Sequence, residues 1–375
     1  MWPLIAFIIA LCISWGPEGA GAAPDRSMAK RLRALGKSIK SDERLHLFPA
    51  YAAQRADGGW RGTVRGWVYE PEAGSLTRRL AIEALGKTIR VHPKHPKWPT
   101  FEARIRWFMV DNERGKRVGV MVGDQLVVGE TGRDGHFAET VTLGESWTPP
   151  ADGRPGVRPM KSVPSTDGRV SSAPLFLVPW QGLSVISDID DTVKVTQVLD
   201  LSAMIANTFL ESFVAVPGMA ALYQGWRAQG AMFHFLSSSP RQLQPLLAQF
   251  LAEAGFPEAT FHLRTVRLKD RSLLGLFASS TETKPPQIEA ILRDFPGRRF
   301  ILVGDSGEHD PEIYGGVARA HPKQIEHIYI RRVPRDRGQA GRFERAFSGV
   351  APHRWTVFED ASALGGGRAD SAAPP

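Results

Sequence analysis

Three carboxylates crowd the end of one apolar run. The stretch Leu183–Thr192 reads LSVISDIDDT, with Asp188, Asp190 and Asp191 just ahead of Thr192. Acids this close repel one another unless a cation or a proton is shared among them. Three further groups of chemically able residues follow: Ser237-Ser238-Ser239-Pro240, Lys284 before Pro285, and Gly304-Asp305-Ser306-Gly307-Glu308-His309-Asp310. Together they suit phosphoryl transfer. Asp188 can attack phosphorus as a carboxylate nucleophile. Asp190, two residues on, can protonate the leaving oxygen and later activate water. Ser237 can hydrogen-bond a phosphoryl oxygen, and Lys284 can neutralise charge on the phosphoryl group and the nucleophile. Asp188, Asp305 and a main-chain carbonyl near Asp190 make a hard oxygen site suited to Mg²⁺. Asp310 can orient Lys284 or complete the outer metal shell. Thr192, Ser238 and Arg267 are candidates for substrate contacts. Asp191 has no part in this scheme.

Taken singly, each group has a plainer reading. A lone DxDxT run occurs in Ca²⁺ loops, although this one lacks their further acids and glycine. Ser239 before Pro240 reads as a helix start, and Asp305-Ser306-Gly307 as a turn. His309 is a loop residue beside the metal motif, and His234 between Phe233 and Phe235 is a core histidine. The case for chemistry rests on their order along the chain.

The elements that must position them alternate. Apolar strands are expected at Leu183–Ser187, Ala231–Ser237, Phe300–Gly304 and Ile325–Ile330. Helices are expected at Pro217–Ala228, Arg241–Ala254, Pro286–Arg293 and Pro311–Ala320. Such alternation predicts a parallel α/β sheet with helices on both faces. Its strand ends would bring all four groups to one edge. Val195–Val216 falls between the first motif and the next helix, as a small cap insertion. Its Leu199, Leu201, Met204, Ile205, Phe209, Leu210 and Phe213 either admit acyl chains or pack the cap itself.

SDIDDT, LSSSP and GDSGEHDPEIY, followed by IYIRRV, resemble the catalytic domain of the actin-patch-type phosphatidate phosphatases, within the haloacid dehalogenase superfamily of Mg²⁺-dependent phosphatases. The resemblance covers about Leu175 to Val333. It implies a Rossmann-like parallel sheet, Mg²⁺, an aspartyl-phosphate intermediate and removal of phosphate from phosphatidate to give diacylglycerol. By motif it makes Asp188 the nucleophile, Asp190 the acid/base, Ser237 the phosphoryl contact, Lys284 the charge neutraliser and Asp305 the metal ligand. Many enzymes of the wider superfamily carry glycine after the second aspartate, where this chain has Asp191. The implied partner is a phosphate ester, a lipid, with peripheral contact at a membrane; no nucleic acid is expected. The same chemistry on a soluble phosphoester or phosphoprotein, or a non-catalytic module for anionic surfaces, are the alternatives.

Composition bounds the rest. The 375 residues suffice for two domains, and 42% hydrophobic with 23% charged content is that of a globular protein. The net charge of +8 suits an anionic partner without choosing one. The single cysteine, Cys12, excludes an intramolecular disulfide. It lies in the short apolar run Pro3–Trp15, followed by Ala20-Gly21-Ala22, which reads as a signal peptide over residues 1–22 and hence as export. Met28–Ser41, within the segment 23–44, reads as a basic amphipathic helix with Met28, Leu32, Leu35 and Ile39 on one face. Residues 45–148 read as an all-β, sandwich-like module, with strands at Trp60–Tyr69, Glu102–Val110, Val118–Val122, Gln125–Val128 and Phe137–Leu143. Residues 149–174 read as a Pro/Gly/Ser-rich linker, 175–360 as the catalytic domain and 361–375 as a disordered tail.

Overall fold

The computed structural model describes Leu32, Leu35 and residues 38–364, apart from 72–73, 145–146, 149, 151–152, 265–282, 335, 337 and 339. The expected leader, most of the basic helix, Arg267 and residues 365–375 lie outside the described residues. Among the described residues no helix is long and apolar enough to cross a membrane.

Two sheets carry the chain. The first has nine strands: β1 (Arg44–Leu47), β2 (Ala50–Gln54), β3 (Trp60–Glu70), β4 (Asp111–Asn112), β5 (Arg117–Val122), β6 (Gln125–Glu130), β7 (His136–Leu143), β8 (Gly156–Ser162) and β9 (Ser172–Val178). The main path runs β1-β3-β2-β9-β8-β5-β6, and β4 and β7 also pair with β3. Its core gathers Leu47, Ala52, Trp60, Val64, Val120, Phe137, Met160 and Leu175. Leu35 and Ile39 are buried, and Ile39 joins this core, so that part of the basic segment packs on its own sheet.

Three expectations for this half need correction. Residues 149–174 are not a linker: β8 and β9 are paired strands inside the sheet, and Met160 and Leu175 are fully buried. Pro159 and Pro174 sit opposite each other in the ladder, so composition misled where alternation was the better guide. Glu102–Val110 is not a strand. It belongs to helix α2 (Trp98–Ile105) and a 3₁₀ turn over Arg106–Phe108. Trp98, Phe101, Arg104 and Ile105 are its buried residues, a helical spacing, and a proline lies at the helix start. Helix α1 (Leu76–Thr88), N-capped by Ser75, precedes it. The third correction follows: residues 45–148 are not an all-β module, since this strand-rich unit carries a helical hairpin.

The second sheet is wholly parallel. It consists of β10 (Leu183–Asp188), β11 (Met232–Pro240), β12 (Thr260–Arg264), β13 (Arg299–Asp305), β14 (Ile325–Arg331) and β15 (Trp355–Phe358). Their order is β12-β11-β10-β13-β14-β15. The chain order reverses between β10 and β13, which places a crevice at their carboxyl ends. Helices α3 (Leu201–Phe209), α4 (Met219–Ala228), α5 (Gln244–Glu253), α6 (Lys284–Asp294) and α7 (Asp310–Ala320) connect the strands. All four expected strands and all four expected helices are present; β12 and β15 complete the edges. One apolar cluster includes Ala53, Phe176 and Val178 of the first sheet with Ile186, Met232 and Leu302 of the second. Tyr51 adds a hydrogen bond from its hydroxyl to Asp294 at 2.7 Å across the same seam.

Candidate active site

The carboxyl edge of the parallel sheet brings the sequence motifs together. Asp188 is the last residue of β10, Ser237 to Ser239 end β11, Lys284 opens α6, Asp305 ends β13 and Asp310 opens α7. Gly304 permits this convergence, since a side chain there would collide with Asp310 and Tyr314.

Lys284 is fully buried at the centre of a cage of three carboxylates, of which Asp188 and Asp310 are buried and Glu308 is partly exposed. Its Nζ is 2.7 Å from Asp188 Oδ1, 2.5 Å from Asp310 Oδ1 and 3.1 Å from Glu308 Oε2. Burial works against the ammonium, but Asp188, Asp310 and Glu308 outweigh it and hold its pKa well above the ordinary lysine value. Asp310 Oδ2 accepts from the Asp305 backbone N–H at 3.3 Å, so Asp310 ties the lysine to β13. Glu308 is a member of this cage that sequence reasoning missed, although its motif was in view.

The charges here do not balance. Asp188, Asp305, Glu308 and Asp310 surround one lysine. Burial pushes the Asp188 carboxyl well up from its usual range, and Lys284 pulls it back only in part. Burial and then Asp310 push Asp305 the same way. Two carboxylate oxygens, Asp188 Oδ2 and Asp305 Oδ2, are buried with no partner. Buried anionic oxygens without donors are costly, and a hard divalent cation is what such a pair accommodates. The residues present therefore fit Mg²⁺ at Asp188 and Asp305. Asp188, Glu308 and Asp310 also offer oxygens within 4.8 Å of one another, but the lysine ammonium already fills that cluster.

Asp190 faces the other way. Its Oδ1 accepts from Lys194 Nζ at 3.1 Å and from Thr196 Oγ1 at 2.7 Å. Its Oδ2 accepts from Ser237 Oγ at 2.9 Å and Ser239 Oγ at 3.0 Å. Burial would raise its pKa, yet Lys194 and these hydroxyls hold it at about 2. With its carboxylate so engaged, only its main-chain carbonyl is left to meet a metal. Lys194 and Thr196 were not singled out in the sequence; Lys194 is 2% exposed and also donates to Thr196 Oγ1.

Asp191 now has a position. Its Oδ1 accepts from the backbone N–H of Thr196 and Gln197, each at 2.8 Å, and its Oδ2 from that of Val198 at 2.7 Å. Its own carbonyl accepts from Arg331 Nη1 at 2.7 Å. The acid holds the loop that carries Thr196 to Asp190.

The remaining candidates divide. Thr192 Oγ1 is buried and unpartnered. Ser238 Oγ meets Thr283 Oγ1 at 3.3 Å, joining β11 to the start of α6. His309 is exposed, and His234 is a core histidine bonded to Thr260 at 2.8 Å. In the cap, Phe209 is fully buried, with Ile205 and Leu210 packed beside it against Phe101 and Ile105 of α2. Those cap residues serve packing, and they pack on the first unit. An open cleft of about 800 Å³, lined by Glu308, His309, Arg319 and Arg342 among others, lies beside the β13–α7 loop. None of Asp188, Asp190, Ser237 or Lys284 lines it.

Comparison with known proteins matches residues 183–332 to the family "Phosphatidate phosphatase APP1, catalytic domain". Phosphatidate phosphatase APP1 of Saccharomyces cerevisiae is 39% identical over 161 residues, which is 42% of this chain and 27% of that protein. An uncharacterised protein of Schizosaccharomyces pombe is 31% identical over 160 residues, 41% of this chain and 26% of that one. The chain thus spans about a quarter of the length of these relatives. A phosphoserine phosphatase in its apo form is looser, with a TM-score of 0.32 at 10% identity, covering 48% of this chain and 96% of that one. The motifs gathered on one sheet edge all fall inside this match, so over residues 183–332 the chain is similar to the catalytic domain of the actin-patch-type phosphatidate phosphatases.

Proposed function

We propose that this protein is a Mg²⁺-dependent phosphatase that cleaves a phosphomonoester through an aspartyl phosphate on Asp188, with phosphatidate as substrate and diacylglycerol as product. One observation carries the reading: Asp188 ends β10 with one oxygen anchored by Lys284 at 2.7 Å and the other buried and unpartnered. The Asp188 carboxylate attacks phosphorus, and the bond to the departing alcohol oxygen breaks. Asp190 gives that oxygen a proton. In the second step the Asp190 carboxylate takes a proton from water, whose oxygen displaces Asp188 and releases phosphate. Mg²⁺, held by Asp188 and Asp305, would supply positive charge against the phosphoryl oxygens.

With its pKa at about 2, the resting Asp190 is ready for the second step and not the first. Two effects of substrate prepare it for the first. A phosphate dianion beside it disfavours its ionisation, and Ser237 and Ser239 can turn their hydroxyls from Asp190 to phosphoryl oxygens. Lys284 stays on Asp188 throughout and limits charge build-up there. The lipid substrate is supported by the matched family and by the name of the yeast relative.

The test is phosphate release from phosphatidate vesicles and from p-nitrophenyl phosphate, each with and without a chelator. Asp188→Asn should lower metal-dependent release by at least about a thousandfold on either substrate, with an unchanged circular dichroism spectrum. Full activity in that variant would sink the mechanism. Release from the soluble ester alone would replace the lipid substrate with a soluble one.

A further inference from the structure

The helical hairpin of the first unit has a face that the phosphatase reading leaves unused. Along α1, Ile82, Leu85 and Gly86 point inward, and Leu85 packs with Trp98 and Phe101 of α2. At 100° per residue, Leu76, Leu80 and Lys87 fall within about 40° of one another on the opposite side. Leu76 is 65% exposed and Leu80 56%, the two most exposed leucines of the described core and surface. An exposed leucine is ordinary by itself, but two on one stripe of one helix are not explained by folding.

The same segment holds much of the chain's positive charge. Residues 76–106 contain eight Lys and Arg against two Glu, in a protein whose net charge is +8. Several of these cations are spent internally: Arg78 on Asp111, Lys97 on Glu211 and Arg106 on Glu102. Lys87, Arg90 and Lys94 are exposed and make no ion pair among the described residues. Leucines on one stripe bordered by unpaired cations match the chemistry of an anionic bilayer, which offers an acyl boundary beneath negative headgroups. A protein partner or a nucleic acid would use the cations but gives less reason for the leucines.

The hairpin is also fastened to the segment 208–213, whose Phe213 neighbours Lys194. Arg104 Nη1 donates to the Thr208 carbonyl at 2.8 Å, and its guanidinium lies 3.9 Å from the centre of the Phe213 ring. Lys97 pairs with Glu211 at 2.5 Å. The Phe213 ring is in turn 5.3 Å from the Lys194 ammonium that holds Asp190. A surface that engages the hairpin is therefore connected through these contacts to the segment 208–213.

We propose that the outer face of the α1–α2 hairpin docks on an anionic lipid bilayer, with Leu76 and Leu80 entering the acyl boundary and Lys87, Arg90 and Lys94 facing headgroups. The inference deepens the lipid-phosphatase reading and rests on it for its purpose, but its test does not use the reaction. The probe is vesicles of phosphatidylcholine with and without phosphatidylserine, which carries no phosphomonoester. The full chain should sediment with the anionic vesicles, and added salt should weaken this. Leu76→Asp/Leu80→Asp should partition roughly tenfold less well than the wild type, and so should Lys87→Glu/Lys94→Glu. Because all chains share the apolar run Pro3–Trp15, its contribution cancels in the comparison. Circular dichroism identifies a variant that has lost its fold, and the charge variant, altered only at exposed side chains, then decides. Wild-type partition in both folded variants overturns the proposal. So does a wild type that ignores anionic vesicles, or one that binds only a soluble polyanion such as heparin. Release of phosphate from p-nitrophenyl phosphate in the same preparations reports the active site alone, so failure there removes the catalytic reading without altering the sedimentation result.

Discussion

Asp191 adopts φ +55°, a left-handed backbone that costs a non-glycine residue about 1–2 kcal/mol. Glycine would avoid that cost. The carboxylate offsets the cost by accepting three backbone N–H groups in the loop 196–198, bonds of the charge-assisted kind. Asp191→Gly relieves the strain but leaves three N–H groups without acceptors. We expect a net loss of roughly 2 kcal/mol in denaturant unfolding and a fall in kcat as Thr196 drifts from Asp190. Asp191→Asn, which keeps one acceptor oxygen, should fall between. A glycine variant as stable and active as the wild type would show that the backbone, and not the carboxylate, is what this position supplies.

The element that places Asp188 is β10, and its entry is controlled from the turn into β13. Arg298, 1% exposed at the turn into β13, donates to Ser184 Oγ and to the carbonyl oxygens of Pro179, Gln181 and Leu183. These bonds fix the corner by which the chain leaves the first sheet and starts the second. Among the described residues no carboxylate neutralises the guanidinium, and burial draws its pKa down to about 10. Arg298→Met should cost about 3 kcal/mol or more, since several buried carbonyls lose their donor. Arg298→Lys should recover only part, because one ammonium cannot span the fork of acceptors. Unfolding curves of the three proteins check this; an Arg298→Met protein as stable as wild type would remove the corner from the account.

Across the whole molecule the two sheets share a seam that contains buried histidine. His234 lies fully buried in β11, its ring 5.5 Å from that of Tyr51 on β2 and 5.6 Å from that of Phe295. Burial holds its pKa well below the ordinary 6.5, with His262 and Arg298 adding to the effect. The unfolded chain therefore binds a proton near pH 6.5 that the folded chain refuses. Stability from this group is complete above that pH and is lost as pH falls below it, by about 1.4 kcal/mol per pH unit. Asp188 and Asp305, whose pKa values are raised, act in the opposite sense. The difference between wild type and His234→Gln isolates the histidine term. The wild type should lose its advantage progressively between pH 6.5 and lower values, and a difference that does not change with pH would contradict the assignment.

Much of the second unit was legible because its signals are local and strong. Four apolar strands, each followed by a helical period, dictate a parallel sheet, and the motifs lie where such strands end. Asp188, Lys284, Asp305 and Asp310 could be named from residue type and order alone. The first unit was harder, because alternation, proline content and helical spacing compete there. Glu102–Val110 alternates by chance while Trp98, Phe101 and Ile105 bury a helical face, and paired strands run through a proline-rich stretch. Lys194 and Thr196 carried no signal of their own, for a lysine becomes a buried partner only when folding removes water and presents Asp190 at 3.1 Å. The same holds for Asp191, whose place depends on three amides that only the folded loop brings to it. Residue types and their order along the chain were enough to name the acids able to do chemistry and to put them on one edge. Only the folded chain settles which acid keeps an unpartnered oxygen, which is held anionic and which builds the loop, because pairing and burial exist only once distant residues have met.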